Sequence, residues 1–143
     1  MLLCMYTRDH KMTTKRVRKP GKWIYRLTRH AIYKRDNWTC TYCQKQDLTC
    51  KSLSLDHLIC WSHGGEDKPR NLVTCCLSCN SKRKDKKLAA WYKYMQANLE
   101  ISDARIDEIK KSIRKARRTS AGQMQRLRDE LRGVTPTYIM DTK

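Results

Sequence analysis

The sequence has no apolar run approaching the roughly 18 residues of a membrane span, so a membrane is not an expected partner. It has no internal repeat, which sets aside solenoids and propellers. The amino end has no secretory pattern either. Met1–Tyr6 is apolar but too short for a signal's apolar stretch, and Arg8, Asp9, His10 and Lys11 follow at once. A cytoplasmic location is the expectation, with Met1 and Met12 both open as native starts. Apolar residues are scarce, at 39% against 32% charged, which is thin for a self-sufficient core. Small domains of fewer than about 70–80 residues usually need a staple. Acidic residues are few: 14 Asp and Glu face 32 Lys and Arg, for a net charge of +18.

That charge is unevenly spread. Residues 1–35 carry 11 basic residues and one acid, residues 36–81 carry four and five, and residues 82–143 carry 17 and eight. A near-neutral centre between two basic flanks is the footprint of a polyanion partner, nucleic acid foremost.

Residues 1–22 read as a flexible basic arm closed by Pro20-Gly21. Residues 23–36 place Ile24, Leu27, Ala31 and Ile32 at near-helical spacing. Leu53–Ile59 reads as a first strand and Leu72–Thr74 as a second, with Gly64-Gly65 and Pro69 punctuating the loop between them. A helix is expected from Cys79, continued as one amphipathic helix by Leu88, Trp91, Tyr92, Met95 and Leu99. Ser102 caps a further helix bearing Ile106, Ile109 and Ile113. Ser120–Gln123 matches a capping box opening a last one through Met124, Leu127 and Leu131. The reading is a small α+β protein with a basic arm over 1–22, a central domain over 23–100 and a basic helical tail over 101–143. The tail's apolar stripes suit intramolecular packing and leave open a homodimer through the C-terminal helices. Trp38, Trp61 and Trp91 read as packing residues rather than base-stacking platforms.

Cys40-x-x-Cys43 and Cys76-x-x-Cys79 are two paired-thiol knuckles. Two intervening residues let both sulfurs of a pair reach one ion, and two pairs complete the tetrahedral four-thiolate shell of a structural zinc site. Cys75 is the rival ligand; Cys76 is preferred because it restores the spacing to Cys79. Cys4, Cys50 and Cys60 lack paired spacing.

Residues 55–86, LDHLICWSHGGEDKPRNLVTCCLSCNSKRKDK, carry a more specific pattern: Asp-His ending a strand, a Gly-Gly loop, Asn-Leu, then Cys-x-x-Cys-Asn opening a helix. With the entry Arg35–Cys43, the stretch over roughly 29–87 resembles the HNH endonuclease family. The resemblance implies a ββα-metal core stapled by zinc on four cysteines. It further implies that Asp56 and Asn80 hold a catalytic Mg²⁺ or Mn²⁺ and that His57 is the general base. Asn71 would hold the His57 imidazole or the loop beside it. The stretch departs from the family pattern at Cys60, often Pro, and at Arg83, often Lys; neither change is expected to touch the chemistry. A neutral imidazole suits proton abstraction from water near physiological pH. A hard cation on carboxylate and amide oxygens suits the charge of a phosphodiester.

Lys82, Arg83, Lys84, Lys86 and Lys87 crowd the helix that Asn80 opens and are the expected phosphate contacts to DNA, duplex by preference. The arm at 11–22 and the Lys110–Arg118 cluster would extend the track. His63 is open as a phosphate contact or a solvated side chain. The expected activity is metal-dependent DNA cleavage, by nicking or by double-strand breakage, in a phage or mobile-element setting and thus in a host cytoplasm. Two other readings stand beside it. A non-catalytic zinc-finger-like DNA-binding module explains the cysteines and the charge. An RNA-cleaving HNH toxin would use the same residues without metal.

Overall fold

The computed structural model describes residues 23–133, so the expected arm over 1–22 and the last residues of the tail lie outside the described residues. The chain enters through Trp23 and Ile24 into α1 (Arg26–Arg35), shorter than the expected 23–36. Its buried face is Ala31, Ile32 and Tyr33. The turn after α1 takes Asn37 and Trp38 through positive φ, and a single bridge pairs Thr39 with Gln46 around the first knuckle.

Two strands follow, β1 (Leu53–His57) and β2 (Leu72–Cys76), antiparallel, with Leu53 opposite Cys76 and His57 opposite Leu72. Alternation on β1 sends Leu53 and Leu55 to one face and Ser54 and Asp56 to the other. The first face meets α1 and the last helix in a core of Ile24, Ala31, Ile32, Tyr33, Leu53, Leu55, Leu72 and Met124. A second core, around Tyr42, Val73, Cys75, Trp91, Met95, Ile106, Ile109 and Ile113, joins the knuckles to the middle helices. The sheet therefore lies between two small cores.

The single helix expected from Cys79 to Leu99 is two, α2 (Leu77–Arg83) and α3 (Leu88–Leu99). The break falls at Lys84, whose φ of 52° and ψ of −125° end the first helix without a glycine. The residue before it, Arg83, is drawn inward by the strands, and that tertiary pull overrides the helical propensity of the run. α4 (Asp103–Arg117) begins as the sequence indicates, with the Ser102 side chain accepting the Arg105 N–H. α5 (Ala121–Gly133) follows Ser120, whose hydroxyl accepts the Gln123 N–H.

The stripe of α4 is buried in the second core, while α5 sets Met124, Leu127 and Leu131 against the first. Both tail helices are thus packed on the central fold, α4 through a buried stripe and α5 through buried Met124 and the half-buried Leu127 and Leu131.

Arg35 locks the layers together. Its guanidinium grips the Asp36 carboxylate at 2.7 and 2.9 Å and donates to the carbonyls of Pro69 and Leu72 and to the Thr119 hydroxyl. Asp36 in turn accepts the Thr74 N–H at 2.8 Å. One planar five-donor fork thereby ties α1 to β2, the loop before it and the α4–α5 turn.

Candidate active site

Each knuckle is a tight turn. In the first, the Cys40 N–H donates to the Lys45 carbonyl and the Gln44 N–H to the Cys40 carbonyl, while the Thr41 N–H reaches the Thr74 carbonyl on β2. The second lies where β2 runs into α2, with Cys76 as the N-cap. The ligand atoms of Cys40, Cys43, Cys76 and Cys79 all lie within 4.8 Å of one another, and Cys43 Sγ is 3.6 Å from Cys76 Sγ. Zinc–sulfur bonds of about 2.3 Å at tetrahedral angles demand sulfurs about 3.8 Å apart, so this set fits such an ion. Cys76 rather than Cys75 completes it.

The sulfurs are too crowded to ionise independently. Thiol hydrogen bonds from Cys75 and Cys79 hold Cys40 far below the usual thiol range, whereas burial pushes Cys43 up to about 11. A divalent cation relieves that crowding.

A cleft of about 450 Å³ opens at the free edge of β1. Asp56, His57 and Asn80 all line it, together with Trp23, Cys60, Trp61, Lys84 and Asp85. Asp56 and His57 are neighbours on β1 and Asn80 comes from α2, so the strand–helix junction at the second knuckle brings them together. Asn71 lies outside the cleft. Its side chain accepts the Ile59 N–H at 2.9 Å and donates to the carbonyls of Ile59 and Glu66 at 3.1 and 3.0 Å, clamping the loop between the strands. The same loop depends on Gly65, where a Cβ would sit 1.7 Å from the Ile59 carbonyl oxygen.

The oxygens of the cleft are differently committed. Asp56 Oδ2 accepts from the Tyr42 hydroxyl and from Arg83 Nη1, leaving Oδ1 for a ligand. Burial raises the Asp56 carboxyl above the usual carboxylate range, against the pull of Arg83 and the Tyr42 hydrogen bond. Asn80 Nδ2 donates 3.0 Å to Ser54 Oγ, whose own proton goes to the Cys75 carbonyl. That chain fixes the amide orientation and leaves Asn80 Oδ1 as the second hard oxygen. One carboxylate oxygen and one amide oxygen suit Mg²⁺ or Mn²⁺.

Arg83 requires a correction. Expected among the phosphate contacts and thought not to touch the chemistry, it is fully buried. Its guanidinium binds Asp56 and the carbonyls of His57 and Leu58. A buried carboxylate needs a partner, and this arginine supplies the charge. Lys82, Lys84 and Lys87 are exposed; Lys86 is half-buried, donating to the Lys82 carbonyl and lying over the Tyr94 ring. His63 is exposed and lines a groove with Lys87 and Arg117.

Three contacts at the cleft escaped the sequence reading: Trp23, with its ring centroid 5.0 Å from that of His57; Tyr42 on Asp56; and Asp67 on His57 Nε2 at 2.7 Å. Asp67 sits in the run between Gly-Gly and Asn-Leu, ten residues after His57, where neither helical nor strand periodicity links the two.

The architecture so far defines a class: a two-stranded sheet running into a helix, framed by two thiol knuckles, with a polar cleft at the strand edge. Residues 40–93, less than half of the chain, match the family model described as HNH endonuclease. Neither the curated proteins nor the solved structures gave a match to the chain.

Proposed function

We propose that the protein is a metal-dependent DNA endonuclease. The observation that carries this reading is the convergence of Asp56, His57 and Asn80 on one cleft beside a four-cysteine cluster. Asp56 Oδ1 and Asn80 Oδ1 would hold Mg²⁺ or Mn²⁺, and zinc would occupy the knuckles. When bound, the catalytic ion supplies Lewis-acid stabilisation of the phosphoryl and leaving oxygens. Tyr42 and Arg83 keep the Asp56 carboxylate turned so that one oxygen remains for the cleft. Ser54 does the same for the Asn80 amide. His57 takes the proton from the attacking water, and Asn71 holds the loop that flanks it. Lys84, at the cleft mouth, and Lys82 and Lys87 nearby contact the phosphate backbone. Such contacts bring affinity and steep salt dependence without sequence readout.

The test is incubation of zinc-loaded protein with supercoiled plasmid and Mg²⁺ or Mn²⁺, against a control with the second metal withheld. Withholding it is preferable to chelation, because a chelator would strip the knuckles too. The expected result is metal-dependent loss of the supercoiled form, open circles indicating nicking and linear product paired cuts. An intact plasmid that is nevertheless bound by the protein would favour the binding-module reading. Metal-independent cutting of RNA alone would favour the ribonuclease.

A further inference from the structure

Among the described residues, the His57 ring meets a wall and an anchor. The wall is Trp23, whose ring lies 5.0 Å from it at a tilt of 32° and is itself covered by the Arg29 guanidinium at 5.2 Å. The anchor is Asp67, whose Oδ1 is 2.7 Å from His57 Nε2. The two side chains are only 12% and 24% exposed, so this is a shielded contact rather than a surface ion pair.

Asp67 is itself held on both sides. The Glu66 carbonyl before it accepts from Asn71 Nδ2, and the Lys68 carbonyl after it accepts the Asn71 N–H at 2.8 Å. The clamp that fixes the loop therefore also fixes where the carboxylate points.

We infer that Asp67 is the positioning residue for His57, selecting the tautomer in which Nε2 carries the proton and Nδ1 the lone pair. An ionised carboxylate can only accept, so the ring nitrogen facing it must be an N–H. In the neutral imidazole the other nitrogen is then the acceptor. The inference rests on the reading of His57 as the base and adds which nitrogen does the work and what holds it there. A proton removed from water goes to Nδ1, and the resulting imidazolium is stabilised by the carboxylate at its far edge.

Asp67→Asn keeps the size but lets the side chain donate to Nε2, favouring the wrong tautomer. The expected result is a fall in single-turnover kcat on the order of 10- to 100-fold, the value of a charged hydrogen bond, with KM little changed. Asp67→Glu is expected to recover much of the rate. A purely structural tie between loop and strand would instead lower thermal stability in all variants without this split.

The second readout is the ¹⁵N spectrum of histidine-labelled wild-type protein well above neutral pH, with His57 assigned by its loss in His57→Gln. An Nε2–H ring supports the assignment; an Nδ1–H ring, or an Asp67→Asn enzyme with wild-type kcat, overturns it. The spectrum needs no substrate. A chain that cuts no nucleic acid would thus sink the proposed function, while the Asp67–His57 assignment would still stand or fall on the spectrum.

Discussion

His57→Ala is expected to lower plasmid cleavage by about 10² to 10⁴-fold, the usual worth of a positioned general base. Affinity for DNA should stay within a few-fold of wild type, because the expected phosphate contacts are lysines on and after α2 rather than the imidazole. The fold should persist as well. His57 lies at the end of β1 with its side chain mostly shielded, and its loss removes one hydrogen bond and one ring contact, about 1 kcal/mol. Single-turnover rates, gel-shift affinity and thermal melting, measured together, check all three. A mutant that cuts at the wild-type rate would remove His57 from the chemistry. One that no longer binds DNA would mean the histidine is a contact, not a base.

Removing the knuckle metal is expected to unfold the protein rather than merely weaken it. The two cores are small, and the second is built around Cys40, Cys75, Cys76 and Cys79 themselves. Structural zinc contributes about 10–16 kcal/mol of apparent binding free energy in small domains. Net stabilities run about 5–15 kcal/mol, so little would remain without it. Cys76→Ser is the sharpest variant, since it takes one sulfur from the cluster and alters the cap of α2. Circular dichroism during chelation should show cooperative loss of helix, recovered on adding zinc, with one zinc per chain by elemental analysis. A chelated protein with an unchanged melting curve would leave the cluster as four packed thiols.

The strands, the knuckles and the caps of α4 and α5 were legible because each has a local signature: alternation, paired spacing, a serine three residues before the N–H it accepts. The family resemblance, carried by Asp56-His57, Asn71 and Cys79-Asn80 and read over roughly 29–87, overlaps the residues 40–93 that the family model matches. What escaped were contacts made across the chain. Arg83 looked like one more cation in a basic run, yet it lies 27 residues from Asp56 and is buried against it. That inward pull accompanies the break at Lys84, which no glycine or proline announces. Asp67 was one of a few acids in a loop, and only the fold of that loop around Gly65 and Asn71 sets it against the imidazole. Trp23 stands just ahead of α1, and nothing in its helical spacing points to a histidine beyond the first knuckle.

The central claim is that Asp56 and Asn80 hold the ion on which cutting depends. It is tested most directly by the cleavage rate of supercoiled plasmid as a function of Mn²⁺ concentration, for zinc-loaded wild type, Asn80→Ala and Asp56→Asn. The expected result is no cutting without the second metal, a half-saturating concentration raised at least tenfold in Asn80→Ala, and near-complete loss of activity in Asp56→Asn. Superimposable metal titrations for all three folded proteins, or full cutting with zinc alone, would contradict it.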